Sequence, residues 1–168
     1  KGRVKIADFG LAKLTGQDPE SHRLTVDGQV MGTPHYMAPE QVLGVRSDPR
    51  SDIFAIGCLM YFFATGVRPF GDPQKLKGLK HRLWRDPVPP RRIRPDIPVW
   101  LQEIILRCLE VDPDQRYATP AQLAFDLANP SQAPLTERAT RMERNSYFDA
   151  WRRWFASLGA EGGPQQPR

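Results

Sequence analysis

Apolar positions fall in short helical stretches separated by connections rich in proline, glycine and arginine. Val4 and Ile6 alternate with polar neighbours, the period of a short strand over Arg3–Ala7. From Lys13 to Met31 no period holds, and Gly16, Asp18-Pro19 and Asp27-Gly28 are turn signals, so a long irregular loop is expected there. Long loops inside compact domains are usually functional. The strongest helix runs from about Ser51 to Thr65, with Ser51 able to cap it, Asp52 at its positive end and Gly66 stopping it. It is apolar nearly all round, the mark of a central buried helix. Asp72-Pro73 opens another helix to about Leu83. Pro87–Pro98 is a proline- and arginine-rich connection, and Pro98–Glu110 is amphipathic, with Leu101, Ile104, Ile105 and Cys108 on one stripe. Thr119-Pro120 opens a helix to about Ala128.

Composition sharpens this outline. The 17 prolines are roughly twice the usual share, which fits short helices and many turns rather than a long bundle or a regular sheet. The net charge of +5 is concentrated in Lys75–Arg94 and in the tail arginines Arg138, Arg141, Arg144, Arg152 and Arg153. The first cluster reads as a solvated surface, and no nucleic-acid partner is expected. Cys58 and Cys108 lie inside apolar helical patterns and read as buried hydrophobes, with no metal-ligand spacing around them. A reducing, cytoplasmic compartment is the expectation. The apolar run Ile53–Ala64 is too short to span a bilayer.

Chemistry enters with Asp8-Phe9-Gly10 at the end of the first strand, where a carboxylate is placed to hold Mg²⁺ against a phosphate. Taken alone, the tripeptide reads better as a strand-ending Asx turn with a core phenylalanine. The segment Gly32-Thr33-Pro34-His35-Tyr36-Met37-Ala38-Pro39-Glu40 changes the weighing. Together, Asp8-Phe9-Gly10 and Ala38-Pro39-Glu40 resemble the protein-kinase signature set. Ser51-Asp52-Ile53-Phe54-Ala55-Ile56-Gly57, Gly66-Val67-Arg68-Pro69-Phe70 and Asp112-Pro113-Asp114-Gln115-Arg116 are similar to further blocks of that family, in its order. The chain is identified as resembling the eukaryotic-like Ser/Thr protein kinases, with a bacterial-type look.

The resemblance implies a mainly α fold: the helical C-terminal lobe of a protein-kinase-like domain, with a short strand at the N-terminus, as an incomplete domain. Residues 1–130 would be that lobe, with an activation segment over 8–40 and lobe helices over 41–130. A linker over 131–145, an amphipathic aromatic and basic helix over 146–158 and a flexible tail over 159–168 would follow. Asp8 would coordinate Mg²⁺ on ATP, and Thr33 would position a substrate Ser or Thr hydroxyl. Asp52 would anchor the catalytic-loop backbone, although its plain reading is an N-terminal helix charge. Glu40 and Arg116 would form a buried ion pair, and Thr25 is the candidate phosphosite of the activation loop. Phe54 stands where the family often has tryptophan, another large aromatic.

The glycine-rich loop, the strand lysine with its glutamate, and the His-Arg-Asp catalytic loop of that signature set do not occur in the chain. The expected function is therefore part of a Ser/Thr kinase acting on protein substrates with ATP and Mg²⁺, the chain alone being inactive and one face of the Ser51–Thr65 helix left uncovered. The alternative is an inactive kinase-like binding module acting through its lower helices and tail. In the tail, Tyr147, Phe148, Trp151, Trp154, Phe155 and Leu158 form a helical stripe flanked by Arg144, Arg152 and Arg153. Packing on its own lobe is the favoured reading, ahead of a partner domain or a membrane surface.

Overall fold

The computed structural model describes residues 25–26, 29–30, 34–44, 48–71, 79–83 and 85–142. The strand expected over Arg3–Ala7, most of the helix opened by Asp72-Pro73 and the 146–158 helix lie outside them. In chain order the elements are β1 (Thr25–Val26), β2 (Gln29–Val30), α1 (Pro39–Val42), α2 (Arg50–Thr65), α3 (Pro90–Ile93), α4 (Val99–Cys108), α5 (Pro120–Ala128) and α6 (Glu137–Thr140), with 3₁₀ turns at Pro34–Tyr36, Lys80–Leu83 and Pro113–Gln115. The architecture is mainly α. The two strands pair antiparallel, Thr25 opposite Val30 and Val26 opposite Gln29, inside the loop expected to be irregular. Two residues per strand are too few to leave a period in the sequence.

Helix α2 is the axis of the fold. Gly66 ends it in the left-handed conformation at φ 77°, its N–H bonded to the Phe62 carbonyl. Its start differs from expectation. Pro49 occupies the cap position without a side-chain bond, and Asp48 Oδ1 takes the Arg50 N–H at 2.7 Å instead. Ser51 is thereby freed for another partner. On one side α2 packs against α4 through Phe54, Cys58, Tyr61, Ile105 and Leu109, and on the next through Ile53, Ile104 and Cys108. The crossing is close at Gly57, where an added Cβ would sit 2.7 Å from the Cys108 Cβ and 3.1 Å from Leu109 Cδ2. The Cys108 Cβ is fixed to its backbone and cannot swing aside. Gly57→Ala is therefore expected to cost about 1–3 kcal/mol by overpacking, less the ~1 kcal/mol of helix propensity it gains. Denaturant unfolding reads the balance, and a net gain in stability would refute this close crossing.

The far side of α2 is open. Ile56, Leu59 and Phe62 are partly exposed and Phe63 is 76 % exposed, so the helix is buried on one side rather than all round. Two buried thiols mark the covered side. Burial pushes Cys58 up to about 12 from an ordinary value near 9, and pushes Cys108 up as well. A thiol whose folded pKa is raised adds stability below its unfolded pKa and loses it as pH rises. Stability should therefore fall across pH 9 to about 12. Thiol reagents should label neither cysteine until the protein unfolds; rapid labelling of the native protein would contradict this packing.

The segment expected to be a linker over 131–145 is folded up to residue 142. Helix α6 lies on α4, and Ala139 is buried. Gln102, fully buried on α4, donates Nε2 to the carbonyls of Arg138, Ala139 and Arg141 at 2.8, 3.1 and 2.9 Å, while its Oε1 accepts the Arg91 N–H at 2.8 Å. Glu103 accepts from the N–H and hydroxyl of Thr136, and Arg138 Nε reaches Glu110 Oε1 at 2.6 Å. Local composition looks like a linker because the partners on the lobe lie 28 or more positions upstream. Gln102→Leu should lower stability by at least about 1–3 kcal/mol, since backbone groups lose buried partners. An unchanged melting temperature would argue against the clasp.

Candidate functional site

The most enclosed polar constellation joins three stretches distant in sequence. Glu40 sits at the start of α1, where Gln41 Oε1 accepts the Ala38 N–H at 2.8 Å and Pro39 occupies the first turn. Arg116 follows the 3₁₀ turn that Asp112 caps by accepting the Asp114 N–H at 2.9 Å. The two side chains meet as a bidentate pair, Nη1 to Oε1 and Nη2 to Oε2, both at 2.9 Å. Their side chains are 0 % and 2 % exposed.

A buried charge pair persists only if its remaining donors and lone pairs are satisfied. Here they are. Ser51 donates its hydroxyl to Glu40 Oε1 at 2.6 Å. Arg116 also donates to the carbonyls of Glu110, Val111 and Arg50 at 2.8, 3.1 and 3.1 Å. Its guanidinium carbon lies 5.0 Å from the Phe54 ring centroid, a cation–π contact. Around the rim Arg50 bridges Asp48 and Asp114 at 2.8 and 2.6 Å. The Arg50 hydrogen bond is the main reason the Asp48 carboxyl is held below the usual carboxylate range. The arrangement does no chemistry itself. It pins the end of the 34–40 segment to the start of α2 and to the 110–116 turn.

A second clamp holds the same segment from the other side. Arg82 is fully buried and donates Nη1 to the Met37 carbonyl, with the His35 carbonyl 3.5 Å away. It lies over the Phe70 ring at 5.3 Å, and burial pulls its pKa down to about 10. The sequence reading placed Arg82 in a solvated basic surface, and the structure corrects that. A run of lysines and arginines carries no mark of which one faces inward. Ser51, read as a helix cap, is the other residue whose role lay hidden: its partner, Glu40, is eleven positions upstream.

Asp52 occupies the first turn of α2, is exposed, and makes no ion pair or side-chain hydrogen bond among the described residues. The backbone of Thr25 lies in β1. Asp8 and Thr33 fall outside the described residues. Among the described residues no group of three or more His, Cys, Asp or Glu could hold a metal ion, and no helix is long and apolar enough to cross a membrane.

The protein kinase domain model matches residues 1–126. The chain belongs to the protein kinase domain family. It is 37 % identical over 151 residues to the serine/threonine-protein kinase PknB of Mycolicibacterium smegmatis, covering 88 % of this chain and 24 % of that protein. It is 39 % identical over 126 residues to the serine/threonine-protein kinase pkn3 of Myxococcus xanthus, covering 74 % of the chain and 23 % of the relative. It is also 40 % identical over 124 residues to the tyrosine-protein kinase MasK of Myxococcus xanthus, covering 74 % and 19 %. The chain thus spans at most about a quarter of the length of these relatives.

Proposed function

We propose that the protein transfers the γ-phosphoryl group of ATP to Ser or Thr hydroxyls of protein substrates. This chain would supply its activation segment and lower lobe. The observation that carries the reading is the buried Glu40–Arg116 pair, with Ser51 completing it, beneath a 34–40 segment that the family match includes. Phosphoryl transfer needs little covalent help from the protein; it needs positioning and charge stabilisation. A segment held at Glu40 and at the Met37 carbonyl by buried arginines is a platform of that kind. Asp8 would hold Mg²⁺, which neutralises charge on the ATP phosphates. Thr33, directly before the Pro34–Tyr36 turn, would orient the acceptor hydroxyl, and Asp52 would reach the catalytic-loop backbone. Thr25, whose backbone in β1 pairs with Val30, would be the regulatory phosphosite.

The open side of α2, with Phe63 at its centre, is a surface for the remainder of a catalytic lobe. A cytoplasmic location is part of the proposal, since the free cysteines Cys58 and Cys108 suit a reducing compartment. The chain on its own is expected neither to bind ATP tightly nor to phosphorylate protein. Robust Mg-ATP-dependent phosphorylation by the purified 168-residue chain would refute that division of labour. The acceptor class is tested by phosphoamino-acid analysis of substrate labelled by the intact protein. Phosphoserine and phosphothreonine are expected, and phosphotyrosine as the main product would overturn the role given to Thr33.

A further inference from the structure

The family match ends at residue 126, and the 129–142 stretch is folded onto the lobe beyond it. Thr136 and Arg138 are held there by side chains of α4 and the turn after it, Glu103 and Glu110. Arg141 reaches further. Its Nη1 meets Asp86 Oδ2 at 2.7 Å, with the two side chains 8 % and 7 % exposed. Its carbonyl is fixed by Gln102 Nε2 at 2.9 Å, so the arginine extends from an anchored backbone. Removing one partner of so enclosed a pair strands the other charge, and the stranded carboxylate would turn toward water.

Asp86 stands just after the turn that carries Arg82. The Arg85 N–H donates to the His81 carbonyl at 3.0 Å, which closes the Lys80–Leu83 turn onto the residue before Asp86. Two residues after Asp86, the Val88 carbonyl accepts the Tyr61 hydroxyl of α2 at 2.7 Å. Asp86 therefore lies between the turn and an anchor on α2. Within the turn Arg82 is buried, lies over Phe70 and donates Nη1 to the Met37 carbonyl. The turn also packs on α1, the helix that contains Glu40. A continuous line of contacts thus runs from Arg141 through Asp86 and the 80–83 turn to Met37.

We propose that Arg141 is a positioning residue for the protein substrate: through Asp86 and the 80–83 turn it holds the Met37 part of the 34–40 segment in place. The proposal rests on the reading of that segment as the platform for the acceptor. A residue beyond the family match then sets how firmly substrate is gripped, while Glu40 stays with Arg116.

Hydrogen–deuterium exchange and steady-state kinetics on the intact protein test it. Arg141→Gln should speed exchange of peptides 35–43 and 80–86 about tenfold or more. It should raise KM for a protein substrate about fivefold or more, with kcat changed less than about twofold. Asp86→Asn, nearly isosteric and the gentler change, should act in the same direction, and it decides the matter if Arg141→Gln fails to fold. Arg141→Lys, which keeps the charge, should recover most of the wild-type KM. Thr119→Ala removes the cap of α5, off this path, and should leave both readouts at wild-type values. A similar shift in Thr119→Ala would mean general loosening and overturn the proposal. So would unchanged exchange of 35–43 in both Arg141→Gln and Asp86→Asn, or faster exchange with KM unmoved. No transfer by the wild-type protein would defeat the phosphoryl-transfer reading instead, and the exchange data would still decide whether Arg141 holds the segment.

Discussion

Arg116→Met and Glu40→Gln are each expected to destabilise the protein by about 3–5 kcal/mol, because each leaves a charge or its hydrogen-bonding partners stranded in the interior. The geometry supports the upper part of that range for the arginine. Its removal costs two contacts to Glu40, three to backbone carbonyls and the face of Phe54. It also leaves the Glu40 carboxylate with Ser51 as its remaining side-chain partner. The double variant Glu40→Gln/Arg116→Met should cost less than the sum of the singles, since no lone charge remains. Chemical denaturation of the four proteins gives the coupling. Strictly additive losses would show that the two side chains are not energetically linked, whatever their distance.

The second large effect concerns turnover. In the intact protein Asp8→Asn should abolish phosphoryl transfer while leaving the melting temperature nearly unchanged. The substitution is almost isosteric and removes only the negative charge that a hard cation needs. The contrast with Arg116 is the useful part. Arg116→Met should lower stability strongly, and activity only as far as the 34–40 segment loses its footing. Near-normal turnover of Asp8→Asn at ordinary Mg²⁺ concentrations would remove Asp8 from the proposed metal site.

How much of this could be read from the chain depended on the range of the interaction. Helix α2 was legible because its signals are local: a continuous apolar run and a glycine free to adopt φ 77° at its end. Thr119 was legible as a cap for the same reason, and its hydroxyl accepts the Gln122 N–H. Glu40 and Arg116 stand 76 positions apart, and no period or spacing links them; only the family resemblance brought them together. Helix α6 was hidden because four residues are too few for a hydrophobic pattern, and its partners are on α4 and in the Glu110 turn. Arg82 was misread because charge patterning assumes that arginines face water, whereas this one is enclosed by Phe70 and the Met37 carbonyl.

The central claim is that this lobe belongs to an ATP-dependent protein phosphotransferase. The most direct measurement gives the intact protein ATP labelled at either the γ- or the α-phosphorus, with and without Mg²⁺, and follows label into a protein substrate. The account predicts Mg²⁺-dependent incorporation from the γ position alone, recovered on serine and threonine and absent in Asp8→Asn. No incorporation above background, or equal incorporation by Asp8→Asn, would contradict it.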